Sequence, residues 1–174
     1  KKIDIREHGS KNPGATNAYR VLGPKYGLMV LAADALKGFL PPFIASRYGV
    51  TGDMLLLIGV LTIVGHSLSF FLHFKGGKGV ATSLGVFLFL IPNVTLALLI
   101  VFILVVYFTR YISLGSIVAA IALPILTALS PVGYGIGKTP LLIMTTLIGV
   151  FVVYRHRTNI KRLMEGTENK FKLK

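Results

Sequence analysis

The chain has 174 residues, 53% hydrophobic and only 14% charged, with a mean hydropathy of +0.74. A soluble domain carries about a quarter charged residues, so this composition excludes an ordinary soluble globule and indicates an integral membrane protein. The formal net charge of +13 sits between long apolar runs rather than on a basic face, which argues against a nucleic-acid partner, and the lack of cysteine excludes disulfides and a thiol nucleophile.

Residues 1–26 are polar and basic. They contain Gly9-Ser10-Lys11-Asn12-Pro13-Gly14-Ala15-Thr16-Asn17, a stretch of small, hydroxyl and carboxamide residues. Such a stretch is either a solvated loop or, beside a membrane, a polar binding loop. An apolar run follows at about 27–46, interrupted by Asp34, Lys37, Gly38 and Pro41-Pro42. Charges inside a span face the bundle interior and pair, and the i,i+3 spacing of Asp34 and Lys37 allows a mutual, structural pair. A second run, about 54–72, carries Gly65-His66. His66 is either a base or a packing residue.

Lys75-Gly76-Gly77-Lys78-Gly79 then sets three glycines and two lysines ahead of a segment that reads as a helix from Val80. Glycine lets backbone N–H groups approach an anion, lysine adds a point charge, and the helix start adds a positive dipole end. The alternative is a basic loop that only fixes membrane orientation. It is not a nucleotide-binding P-loop, because Val80 and Ala81 follow where Lys and Ser/Thr are required.

Four further apolar runs lie at about 80–92, 94–109, 114–130 and 140–154. Pro92-Asn93 and Arg110 mark turns, Pro124 predicts a kink, and residues 130–138 form a polar, Gly-rich loop. Several runs fall short of the ~20 residues that fill a bilayer core, so some helices are expected to be tilted, broken or buried in the bundle. In the tail, Arg155, Asn159 and Arg162 share one side of a helix, with His156 and Asn159 on an adjacent side, until Glu165-Gly166-Thr167-Glu168 stops it.

The Lys and Arg residues alternate along the connections. Six lie in the N-terminal segment, two in the Lys75–Lys78 loop, one in the Arg110 turn and seven in the tail, against one near Arg47, none at Pro92 and one at Lys138. The positive-inside rule makes the rich side cytoplasmic. It therefore brings the Ser10–Asn17, Lys75–Gly79 and Arg155–Glu168 segments to one membrane face.

Taken together and in order, these segments resemble the three motifs of the bacterial acyl-phosphate:glycerol-3-phosphate acyltransferases. The Asp34-…-Lys37-Gly38 and Gly65-His66 signatures fit as well, and the similarity covers essentially the whole chain. Lys11 stands where the family commonly has glycine. The resemblance implies a single all-α transmembrane acyltransferase domain over 1–174, about six spans in this chain. The family has seven, and the first would precede Lys1. It implies a bacterial inner-membrane enzyme with a cytoplasmic active face. That enzyme moves a fatty acyl group from acyl phosphate to the sn-1 hydroxyl of glycerol 3-phosphate, giving lysophosphatidic acid and phosphate, with no cofactor or metal.

By that resemblance Ser10, Arg20 and Lys78 hold phosphate. Gly76, Gly77 and Gly79 shape the glycerol 3-phosphate loop, with Lys75, Asn12, Thr16 and Asn17 also at the substrate. His156 and Asn159 orient the reacting groups, while Glu168 and Asp34 are structural. The proton goes either to His156 or to a substrate phosphate oxygen. The chemistry agrees: an acyl phosphate is already activated, so no acyl-enzyme is needed, and two phosphates brought together require cations and N–H donors. The rivals are a transporter, suggested by the charges and prolines of the first run, and a polyprenyl-phosphate transferase, for which the six scattered acidic residues give no metal cluster.

Overall fold

The computed structural model describes residues 3–132 and 134–172. Lys1, Lys2 and Lys174 of the basic termini, Gly133 of the 130–138 loop, and Leu173 lie outside the described residues. The regular structure among the described residues is all helical. A short amphipathic helix, α1 (Ala15–Leu22), ends where Gly23 takes φ +102°, a value L side chains rarely adopt. Pro24 then opens α2 (Pro24–Arg47), where its missing N–H would have had no helical partner. There follow α3 (Asp53–Ser67), a single 3-10 turn (Phe70–Leu72), α4 (Val80–Leu90), α5 (Pro92–Thr109), α6 (Ile112–Leu129), α7 (Lys138–Arg155) and the polar α8 (Arg157–Met164).

The six apolar runs are thus six apolar helices. Among the described residues, five segments are long and apolar enough to cross a membrane: Pro24–Arg47, Asp53–Leu72, Pro92–Thr109, Ile112–Leu129 and Lys138–Arg155. The sixth, α4, has 11 residues. At 1.5 Å per residue it is roughly 16 Å long, about half of a bilayer core. It is sheltered inside the bundle, with Thr82, Ser83, Gly85, Val86, Phe87, Phe89 and Leu90 buried. One expectation changes. The charged residues and the proline pair do not break the first run, because α2 continues through Pro41-Pro42 to Arg47. Proline removes one intrahelical hydrogen bond, which transmembrane helices tolerate when neighbours shield the freed carbonyl. α6 likewise runs through Pro124.

α4 packs most closely on α2, and small residues make that possible. A Cβ on Gly85 would lie 1.9 Å from the Ala35 carbonyl oxygen, and one on Gly38 would lie 2.1 Å from the Thr82 carbonyl oxygen. In hydrocarbon, where apolar burial adds little driving force between helices, such backbone approach supplies the packing. Leu55, Ile63, Val86, Leu90, Leu141, Met144 and Ile148 fill the core between α3, α4 and α7. Ile100, Ile103, Leu104 and Phe108 of α5 are exposed, as a lipid-facing surface requires.

The connections sort to two ends. At one, the Gly52 N–H donates to the Tyr134 carbonyl (2.9 Å) and the Phe89 ring meets the Tyr134 ring at a tilt, 4.9 Å between centroids. At the other, Arg155 reaches the glycine loop, the Phe171 N–H donates to the Arg110 carbonyl (2.6 Å), and the Phe171 ring meets Tyr19 (5.2 Å). The second end gathers the Lys/Arg-rich connections.

Gly85→Leu is expected to abolish recovery of folded protein from detergent, because the obstructing atoms are backbone. Gly65→Ala, in α3 with nothing within 4 Å of the added methyl, should raise stability by up to ~1 kcal/mol. Size-exclusion profiles and thermal unfolding of the two variants check both outcomes.

Candidate functional site

The N-terminal loop is knitted by one side chain. Asn17, in the first turn of α1 and 1% exposed, donates from Nδ2 to the Ile5 (2.8 Å) and His8 (3.1 Å) carbonyls, and its Oδ1 accepts the Ser10 N–H (2.8 Å). The Asn12 Oδ1 accepts the Gly14 N–H (2.9 Å), a local turn that leads into the helix. Lys11 takes φ +58°, so this position asks for the glycine that the motif commonly has.

The glycine loop is clamped rather than open. Gly76 and Gly77 are buried, and the Gly76 N–H donates to the Ser67 carbonyl (3.2 Å). Their carbonyls accept two hydrogen bonds from Arg155 Nη2, at 2.9 and 3.0 Å. Gly79 caps α4 with φ +82°. Between them Lys78 Nζ donates to Asn159 Oδ1.

The tail is not one continuous helix. His156 (φ −97°, ψ 7°) ends α7 and starts α8, so Arg155 turns to the glycine loop while Asn159 and Arg162 face elsewhere. The break presses the His156 ring into the interior, 3% exposed, with Nδ1 2.8 Å from the Val152 carbonyl. A carbonyl can only accept, so the proton sits on Nδ1 and Nε2 keeps its lone pair. Asn159 Nδ2 donates to Glu168 Oε1 (2.8 Å), Ser113 Oγ donates to the same oxygen (2.9 Å), and Arg162 Nε donates to Oε2 (2.6 Å).

These groups border one cavity of about 440 Å³. Its polar end is lined by Ser10, Asn12, Thr16, Asn17, Arg20, Lys78, Gly79, His156, Asn159 and Glu168. Its other end is apolar, between Leu28 and Leu31 of α2, Phe87 of α4, Leu99 and Phe102 of α5, Leu123 of α6 and Ile148 of α7. Asp34 and His66 also line it. Gly76 and Gly77 stand behind this wall and Lys75 is exposed outside it. Asp34 does pair with Lys37, at 2.7 Å, and its second neighbour is His66 at 3.7 Å. Ser113, a small residue at the start of an apolar helix, carries no signal in the sequence that would mark it for the site.

Electrostatics follow from burial and crowding. Burial brings the Lys78 ammonium down to about 8; Glu168 opposes this, and Arg162, Arg155 and Arg20 add to it. Burial, then Lys78, brings the His156 imidazole down to about 4, so the ring is neutral at pH 7. Burial alone would raise the Glu168 carboxyl, but hydrogen bonds from Arg162, Asn159 and Ser113 win and lower it. The polar end therefore holds several cations around one carboxylate, a setting for an anionic ligand.

A family model described as glycerol-3-phosphate acyltransferase matches residues 1–166. The glycerol-3-phosphate acyltransferase of Fusobacterium nucleatum is 56% identical over 172 residues, spanning 99% of this chain and 86% of its own. The glycerol 3-phosphate form of PlsY (YgiH), an integral membrane glycerol 3-phosphate acyltransferase, superposes with a TM-score of 0.89 at 41% identity, covering 98% of this chain and 84% of that one. Its lysophosphatidic acid form gives 0.84 at 42% identity, over 94% and 82%. With its apolar helices, motifs and this match over nearly the whole chain, the protein belongs to the family of integral membrane glycerol-3-phosphate acyltransferases of the PlsY type.

Proposed function

We propose that the protein transfers a fatty acyl group from acyl phosphate to the sn-1 hydroxyl of glycerol 3-phosphate, releasing lysophosphatidic acid and phosphate. The observation that carries this reading is the cavity itself, with a cationic, hydrogen-bonding end and an apolar remainder reached along α2, α5 and α6. An acyl phosphate has that polarity along its length. Two phosphates meet at the polar end, where Ser10, Arg20 and Lys78 hold them. The surrounding guanidinium groups offset their charge, and a bound anion in turn favours the protonated form of Lys78 against burial and those cations. Asn12, Thr16 and Asn17 support the same wall, and Gly76, Gly77 and Gly79 fix the loop that presents Lys78.

The glycerol hydroxyl attacks the acyl carbonyl carbon. The C–O bond to phosphate breaks, and phosphate leaves with the electron pair. The hydroxyl proton goes to the Nε2 lone pair of His156 or to an oxygen of a substrate phosphate. Asn159 positions Lys78, and Glu168 holds Asn159 from behind. Placed in a bacterial inner membrane, the Lys/Arg-rich end faces the cytoplasm.

Purified protein given palmitoyl phosphate and glycerol 3-phosphate should form lysophosphatidic acid, read by mass spectrometry, and palmitoyl-CoA should not replace the donor. Absence of product with palmitoyl phosphate sinks the reading. Arg20→Ala and Lys78→Ala should each lower kcat/KM by ~100-fold or more, the scale of ~3 kcal/mol lost with a buried charged contact, while the protein still inserts and folds. Lys78 acts protonated. On this ionisation the alkaline limb of kcat/KM for the free enzyme should fall as pH rises through about 8. Lys78→Arg, which stays charged, should retain measurable turnover and lose that alkaline limb; an unchanged limb would refute the assignment. In His156→Ala, a preserved acid side of the pH–rate profile would select the substrate-phosphate route, and a lost one would select His156.

A further inference from the structure

A second cavity, about 400 Å³, lies on the far side of the glycine turn and is lined by Asp34, Lys37, His66 and Gly77 among others. Asp34 and His66 border both cavities and so form the partition between them. The partition is built from α2 and α3. Asp34, 6% exposed, receives Lys37 Nζ at 2.7 Å and lies 3.7 Å from His66 Nδ1. A carboxylate at this depth is held by its partners, and here it also packs beside the imidazole, at a separation longer than a hydrogen bond.

His66 then meets the glycine turn twice. Its carbonyl oxygen lies 2.1 Å from where a Cβ on Gly76 would be, and its Nε2 lies 2.3 Å from where one on Gly77 would be. The next residue's carbonyl, Ser67, accepts the Gly76 N–H at 3.2 Å. From the other side Arg155 grips the Gly76 and Gly77 carbonyls. The turn is thus pressed between the end of α3 and the end of α7, and Lys78 is the residue that leaves it.

We propose that Asp34 and His66 are positioning residues for Lys78: Asp34 sets the imidazole, the imidazole seats Gly77, and the seat fixes where the Lys78 side chain starts toward Asn159. The inference rests on the reading of Lys78 as a phosphate holder, but its test does not. The rate of Lys78 acetylation by acetic anhydride is measured by mass spectrometry in the membrane-embedded full chain, with exposed Lys75 as the internal reference.

His66→Ala removes the seat and Gly77→Ala drives a methyl into the ring, so each alone should change the Lys78 rate by ~5-fold or more; in the double variant the new methyl occupies the vacated space, and the rate should return to within ~2-fold of wild type. The kcat/KM values should follow the same cycle, with each single loss partly reversed in the double. Effects that multiply, in labelling or in kcat/KM, overturn the proposal. If His66→Ala yields no folded protein, His66→Gln takes its place in the cycle and should change the rate in the same direction. Asp34→Asn keeps the shape and removes the charge; a wild-type Lys78 rate in it overturns the role of Asp34. Wild-type protein that forms no lysophosphatidic acid but shows the compensating labelling cycle would refute the proposed function and uphold this inference. An active enzyme whose labelling effects multiply would do the reverse.

Discussion

The bond between Lys78 and Asn159 organises the polar end. A buried ammonium can only donate and a carboxylate can only accept, so the Asn159 amide has one usable orientation, with oxygen toward Lys78 and NH2 toward Glu168. Glu168 is fixed in turn by Ser113 of α6 and Arg162 of α8. Four separate segments are thereby locked by a chain in which each group has one permitted role. Such a network is worth more than its pairs, and losing one member leaves the others buried and unsatisfied. It also explains the charge pattern. One carboxylate serves several cations, and burial, with that unbalanced remainder, lowers Lys78 until an anion arrives.

The placing of Lys78 depends on a length. α4 has 11 residues where a full crossing needs ~20, so its start and end need not both lie at membrane surfaces. It is kept in the bundle by backbone contact with α2 at Gly38 and Gly85, not by a lipid-facing girth of its own. With α4 drawn against α2, α5 and α6 border the remaining space, and the apolar arm of the cavity runs there from the polar mouth. The packing of this short helix against α2 therefore leaves room for a hydrocarbon chain.

Much of this was legible from the residues. Apolar runs report helices because bilayer hydrocarbon permits little else, and each run fell within a few residues of its helix. The sorting of cations along the connections anticipated which loops meet. Contacts that depend on tertiary packing were not legible. Nothing in Arg155-His156-Arg157 announces a helix break, since neither proline nor glycine is present, and the break appears where the His156 ring turns inward to the Val152 carbonyl. The glycines of the 75–79 loop suggested N–H groups turned to an anion, whereas Gly76 spends its N–H on Ser67 and the need for small residues comes from His66. Sequence spacing does not bring Asp34 to His66, because the two lie on different helices.

The neutrality of His156 follows first from burial and then from the same charge excess. A ring 3% exposed beside Lys78 cannot hold a second positive charge, and the carbonyl at Nδ1 leaves Nε2 as an acceptor. A base whose conjugate acid has been pushed down to about 4 accepts a proton only briefly. A phosphate oxygen nearby is a better final resting place, because each proton it takes relieves repulsion between two crowded anions. On the proposed reaction, then, the surplus of cations does two things at once: it assembles the phosphates and it disfavours a permanently protonated protein base. A site built this way works chiefly by holding reactants in line, which is what an already activated acyl donor needs.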